Sequence, residues 1–336
     1  MSKKGILLVN LGTPDSPATA DVKKYLDQFL MDERVIDIPR LNRTLLVKGI
    51  IVPFRSPKTA KLYKEIWSEN GSPLLYYSRK QAEMLQQRLG EGYHVELAMR
   101  YQSPSIESAL ANLKAGLVES IQVIPLFPQY ASASTGSVLQ LVMELVGKWP
   151  TVPPISFVNS FHDNELMIQV FAENARKHQV ESYDHVLFSF HGLPERQLLK
   201  CDHTGNYCLK SADCCQTLND TNKFCYSAQG HDTARLIAKA LNISKENYTV
   251  CFQSRLGKEP WVQPYTTDVL KKLAAEGKKR LLVFSPAFVA DCLETLYEIT
   301  VEYHEEFRAL GGEHVQLVES LNDSPVFIEA LAGMVK

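Results

Sequence analysis

One sequence pattern recurs in both halves of the chain, and it restricts the fold more than any other feature. LLVNLGTP (7–14) aligns with LFSFHGLP (187–194), each an apolar run followed by a glycine, one further residue and a proline. VELAMRYQSP (95–104) resembles VCFQSRLGKEP (250–260), and QVIPLF (122–127) matches LVFSPAF (282–288), in the same order. The runs GILLVNLG, HVELAMRY, SIQVIPLF, DHVLFSF, YTVCFQS and KRLLVFSP read as short strands buried on both faces. Between them QAEMLQQRL, ESALANLKAG, DTARLIAKAL and TDVLKKLAAEG carry helical spacing. Alternation of this kind implies parallel sheets with helices on both faces. The expected fold is α/β, two similar doubly wound, Rossmann-like domains descended from one duplicated unit. The Pro-rich KWPTVPPISFVNS marks the joint, giving an N-terminal half at 1–155 and a C-terminal half at 170–336. The second half carries a cysteine-rich insertion at 200–226, and its last helix is free to pack back on the first half.

A chain of 336 residues, 45% hydrophobic, suits two domains with real cores. The net charge of −2 gives no reason to expect nucleic acid as a partner. No apolar run approaches a membrane span, and MSKKGILLVNLG lacks the long apolar core of a secretory signal. The expected location is therefore the cytoplasm. The apolar stretch LNRTLLVKGIIVPF (41–54) has two readings of equal weight, a lip in peripheral contact with lipid or a cover over a ligand.

In doubly wound sheets ligands bind beyond the carboxyl ends of the strands, so the residues there are the candidates. His191 ends the run VLFSF and is held by a Gly and Pro turn, a suitable place for a general base with a pKa near neutrality. The repeat puts Leu11 at the matching position of the first half, so the turn itself does not require a histidine. Glu294, Glu298 and Glu302 lie four apart with no lysine or arginine among them. On a helix, like charges at this spacing repel, and the row reads either as a solvated face or as a ladder for cations or protons. Asp291 is the expected N-cap, with Glu294 as its capping-box partner, and Leu293, Leu296, Tyr297, Thr300, Phe307 and Leu310 trace the expected apolar face. Aromatic and cationic residues at other strand ends, Phe127, Tyr130, Trp261, Phe288, Arg55 and Arg100, describe a wide apolar slot for a flat, anionic aromatic ligand.

Taken together, LLVNLGTPDSP, SFHGLPER, QSRLGKEPWVQPYT, DCLETLYEI and LNDSP resemble the ferrochelatases over nearly the whole chain. The resemblance implies two similar doubly wound domains facing across a cleft, and insertion of ferrous iron into protoporphyrin IX to form haem. It makes His191 and Glu294 catalytic residues on opposite sides of the porphyrin. His191, Glu294, Glu298 and Glu302 become the path of the substrate iron. Leu11, Arg55, Phe127, Trp261 and Phe288 match positions lining the porphyrin pocket, with Tyr130 beside them. Cys292 departs from the pattern, standing where some members have a second histidine. The rival readings are a chelatase for another metal or tetrapyrrole, such as coproporphyrin, and a non-catalytic haem or iron–sulfur sensor on the same fold.

Five of the seven cysteines fall in CDHTGNYCLKSADCCQTLNDTNKFC (201–225). In a reducing compartment clustered cysteines are more often ligands than disulfides. The gaps of six, five, zero and nine residues lack the pairs usual in structural zinc sites. Some ferrochelatases carry a [2Fe–2S] cluster, and a bacterial variant holds it inside this loop in a pattern resembling C(x)5CC(x)9C. That resemblance implies Cys208, Cys214, Cys215 and Cys225 as ligands of a [2Fe–2S] cofactor, with Cys201 spare or a substitute. Cys251 and Cys292 read as packed core residues.

Overall fold

A computed structural model describes residues 3–211, 213–255, 257 and 259–336. It divides into two units. The first holds residues up to Phe127, Ala131–Asn159 and Asn322–Lys336, and the second holds Pro128–Tyr130 and Ser160–Leu321.

Each unit is built on a four-stranded sheet. The first contains β1 (Lys4–Gly12), β2 (Tyr93–Tyr101), β3 (Ser120–Pro125) and β4 (Ile155–Phe157) in the order β2-β1-β3-β4. The second contains β5 (His185–His191), β6 (Tyr248–Gln253), β7 (Arg280–Phe284) and β8 (His314–Leu317) in the order β6-β5-β7-β8. Every pairing within these sheets is parallel. The two orders are one topology, as the repeat requires. The central strands are buried through their length because helices cover both faces, so Leu7, Leu8, Val9, Leu187, Phe188 and Phe190 show essentially no exposure. The three- and four-residue strands β4 and β8 were not among the expected strands. Both are sheet edges, too short for an apolar run to announce them.

The repeat extends to the chain reversals after β2 and β6. Gln102 and Ser254 each follow the last strand residue in the left-handed region, with φ of 69° and 64°. The chain then returns, and the N–H groups of Met99 and Phe252 donate to the carbonyls of Pro104 and Pro264. Pro104 thus corresponds to Pro264, not to Pro260 as sequence alignment suggested. The second half has a longer loop here, and that loop carries Trp261.

Within the first unit the last helix, Pro325–Gly333, lies against Pro73–Leu89. Arg88 and Glu329 pair at 2.6 Å, and Gln81 Nε2 donates to the Asn322 carbonyl at 2.7 Å. Among the described residues no helix is long and apolar enough to cross a membrane.

Candidate functional site

His191 is the last residue of β5 and is half-buried. Its neighbour Gly192 donates its N–H to the Gln253 carbonyl at 2.7 Å. A Cβ at position 192 would lie 2.8 Å from that oxygen and 3.2 Å from the Trp261 ring, so only glycine allows the approach. The turn is tied to the loop after β6 by two more backbone bonds, Val262 N–H to Leu193 O at 2.9 Å and Glu195 N–H to Pro260 O at 3.0 Å. The imidazole is oriented by Nδ1 at 2.8 Å from the Gly192 carbonyl. A carbonyl only accepts, so Nδ1 carries the proton of the neutral ring and Nε2 keeps its lone pair as a base.

The carboxylates follow β7, which neighbours β5 in the sheet. The capping box here differs from the expected one. Cys292 is the N-cap of Leu293–Leu296, and its N–H donates to Thr295 Oγ1 at 3.0 Å. Asp291 instead accepts from Thr295 Oγ1 and from the Ser320 N–H, at 3.1 and 3.2 Å. Burial, and then the nearby Glu294, push the Cys292 thiol well above its ordinary value, so it packs as an inert group. Cys251 is likewise fully buried.

From Glu298 to Tyr303 the helix widens into a π-turn before closing as His304–Ala309. The buried side is Thr295, Ile299, Tyr303 and Phe307, also four apart; of the expected row Phe307 is buried and Leu296 packs against the core, whereas Thr300 and Leu310 are exposed. An α-helix rotates residues four apart progressively round its axis. The wider turn counters that drift, keeping the glutamate row and the apolar row on adjacent faces. Single π-turns of this kind concentrate at functional sites.

Gln253 joins the histidine side to this row. It pairs with His191 in the sheet register, and its Oε1 accepts from Ser189 Oγ at 2.7 Å. Its Nε2 donates to Glu298 Oε2 at 3.0 Å and to the Glu294 carbonyl at 3.2 Å. Ser254 Oγ donates to the same Glu298 oxygen at 2.6 Å. Burial first, then the Glu294 charge, raise Glu298 to a pKa of about 8. Glu302 is exposed and is raised by partial burial and by Glu305 and Glu306. The row therefore runs from the sheet edge to solvent with its middle member titrating near neutrality. Gln253 and Ser254 were not among the candidate residues. Their signal is faint, two polar residues ending an apolar strand.

The aromatic candidates fall in both units. In the second, the Trp261 ring lies against Gly192, and its buried Nε1 has no partner among the described residues. Phe288 is half-buried in the turn after β7, and Tyr130 donates its N–H to Gln229 Oε1 at 2.6 Å. In the first, Leu11 and Phe127 stand at the carboxyl ends of the paired strands β1 and β3. Arg55 is exposed on the helix Val52–Ile66. Arg100 is committed internally, donating to Asp32 and Ser137 at 2.6 Å each.

The loop from Cys201 to Cys225 has neither helix nor strand among its described residues. Asp202 organises its first part, its carboxylate accepting from the N–H groups of Thr204, Tyr207 and Cys208 at 2.9 Å each. Buried Asn222 organises the second, donating Nδ2 to the carbonyls of Cys214 and Thr217 at 2.9 Å each. The five cysteines meet around one pocket, shared with Leu198, Asp202 and Tyr207. None of the seven cysteines is joined in a disulfide. Cys225 is the N-cap of the helix Tyr226–Ala240. Hydrogen bonds from the Cys208 and Cys215 thiols, then from backbone N–H groups of the first turn, hold its thiol far below the ordinary range. Cys214 and Cys215 sulfurs are 3.7 Å apart. Cys201 Sγ instead donates to the Gln197 carbonyl at 3.5 Å. Among the described residues, no three histidine, cysteine or acidic side chains stand in ready-made metal geometry. The donor set is nonetheless the thiolate set that an iron–sulfur cluster takes.

The ferrochelatase family model matches residues 3–336. The chain belongs to the ferrochelatase family. A ferrochelatase of Legionella pneumophila (strain Lens) is 43% identical over 335 residues, covering 99% of this chain and 98% of that protein. One from Coxiella burnetii (strain Dugway 5J108-111) is 42% identical over 335 residues, covering 100% of this chain and 94% of that one. Among solved structures, SirB from Bacillus subtilis with Fe3+ superposes with a TM-score of 0.52 at 13% identity, covering 98% of this chain and 93% of that one. That likeness supports the fold alone.

The raised Glu298 has a measurable consequence for this chain. The folded side chain keeps its proton up to about pH 8, against 4.5 for an ordinary glutamate. Its contribution to stability is complete below pH 4.5 and is lost as pH rises through 8. Glu298→Gln mimics the protonated acid, so it should gain on the order of 4 kcal/mol on the wild type between pH 5 and 8.5. Urea midpoints at the two pH values measure this, and a stability difference independent of pH would contradict it.

Proposed function

We propose that this chain inserts ferrous iron into protoporphyrin IX to form haem, with His191 and Glu294 as its catalytic residues. Free porphyrin carries two pyrrole N–H protons, both of which leave as Fe2+ enters. His191 Nε2 accepts one of them and the Glu294 carboxylate the other. Glu298 and Glu302 then pass protons and iron between Glu294 and solvent. A group titrating near neutral pH both takes and gives protons at low cost, the property a relay needs. The carrying observation is the hydrogen-bond path through Gln253, which couples the strand bearing His191 to the glutamate row. A non-catalytic sensor would need neither the base nor the relay. Leu11, Arg55, Phe127, Tyr130, Trp261 and Phe288 bind the porphyrin. The test is anaerobic incubation with ferrous or zinc ion and free porphyrin, followed through the visible spectrum. Steady conversion supports the reading, and an unchanged spectrum with every common porphyrin overturns it.

The loop carries a [2Fe–2S] cluster on Cys208, Cys214, Cys215 and Cys225, with Cys201 outside the set. Support comes from their shared pocket, from the mutual sulfur contacts of these four and from the different partner of Cys201. Bound there, the cluster supplies cross-linking to a polar loop that has little core of its own.

The chain also touches a membrane surface at its margin. Leu41, Leu45, Ile50 and Phe54 are 58–73% exposed on one segment, with Lys48 and Arg55 among them. Single exposed apolar residues are ordinary, but a group flanked by cations suits an interface. Co-flotation with anionic vesicles that is weakened by Phe54→Ser is the expected result, and no flotation would remove the proposal.

A further inference from the structure

Near its end the insertion that carries the cysteines presents Lys223 and Phe224, the second beside Tyr130 and the first joined to it through Gln229. The Phe224 ring meets the Tyr130 ring edge-on, with centroids 6.4 Å apart. Phe224 remains 42% exposed, an apolar surface with no cover among the described residues. Lys223 Nζ lies 5.7 Å from the Phe224 ring centroid and 3.3 Å from the carboxylate of Asp220, which is fully exposed. A pair so open to solvent is weak and yields readily to another anion.

What distinguishes this arrangement from an ordinary loop end is the clamp beneath it. Gln229 is only 1% exposed. It accepts the Tyr130 N–H at 2.6 Å, and its Nε2 donates to the Lys223 carbonyl at 2.6 Å. One buried amide thus fixes the end of the insertion to the backbone of Tyr130. Phe224 is not among the residues lining the cysteine pocket, so shielding that pocket does not explain it.

We infer that Phe224 and Lys223 belong to the porphyrin site, extending the wall that Tyr130 begins. This rests on the reading of Tyr130 as a porphyrin-binding residue. A porphyrin presents a broad apolar face and carboxylate-bearing propionates. Phe224 packs against the first, and Lys223 leaves Asp220 to meet the second. Specificity for the substrate's rim is then partly built by a segment that also holds the cysteines.

The experiment compares porphyrin dissociation constants, from quenching of protein fluorescence, with steady-state KM and kcat. Phe224→Ala should raise Kd and KM about five-fold with kcat unchanged, and Phe224→Tyr should restore them. Lys223→Gln should weaken binding of a dicarboxylate porphyrin about three-fold but leave its dimethyl ester unaffected. Unaltered iron and sulfide content in these variants excludes a general loosening of the loop. Wild-type Kd and KM in Phe224→Ala and Lys223→Gln, with weakened binding in Tyr130→Ala, overturn the inference and leave the Tyr130 reading standing. Wild-type binding in all three overturns both.

Discussion

His191→Ala is expected to reduce the rate of metal insertion by about 10²–10⁴, the range for loss of a positioned general base. Porphyrin affinity should stay within about two-fold of the wild type, because the apolar wall that supplies binding area is untouched. The side chain is half-buried at a strand end, and among the described residues it bonds only to the adjacent Gly192 carbonyl. Removing it therefore leaves the strand pairing with Gln253 in place. The informative quantities are initial rates with ferrous and zinc ions, beside a porphyrin titration. Turnover equal to wild type would remove His191 from the mechanism. Lost affinity with unchanged kcat would make it a wall residue.

Cys225→Ser is expected to abolish the proposed [2Fe–2S] cluster. The anaerobically purified wild type should contain two irons and two acid-labile sulfides per chain, the stoichiometry of a [2Fe–2S] centre, with visible bands that bleach on reduction. In the variant both contents should approach zero. Serine is a preferred N-cap, so the helix Tyr226–Ala240 keeps its start and the loss reports the thiolate itself. Cys225 is the most sensitive position because the thiols of Cys208 and Cys215 converge on it. Cys201→Ser, by contrast, should keep wild-type iron and sulfide, since that sulfur turns to the Gln197 carbonyl. A wild type with one zinc and no sulfide would make the loop a zinc knuckle. Loss of iron on Cys201→Ser would place Cys201 in the ligand set.

The outcomes at particular residues show where sequence reasoning stops. The local setting of His191 and Glu294 was legible: the first ends an apolar strand before a Gly and Pro turn, and the second lies in the short helix that follows β7. The capping of the acidic helix was not. Cys292 and Thr295 form the box, and Asp291 is drawn to the Ser320 N–H, a partner far along the chain. Arg100 looked available as a ligand cation, yet buried Asp32, distant in sequence, takes it. The π-turn over Glu298–Tyr303 escaped because the spacing of four fits an α-helical row as readily.

The sequence by itself determined the duplicated parallel α/β architecture, the positions of the strand ends and the family. These follow from periodicities of a few residues and from a repeat, all of which are local or self-referential. The tertiary structure alone decided that Gln253 links His191's strand to Glu298, that five cysteines share one pocket and that Phe224 meets Tyr130. Each depends on sheet register or on a long closure, and no local preference encodes which distant side chain will complete a hydrogen bond.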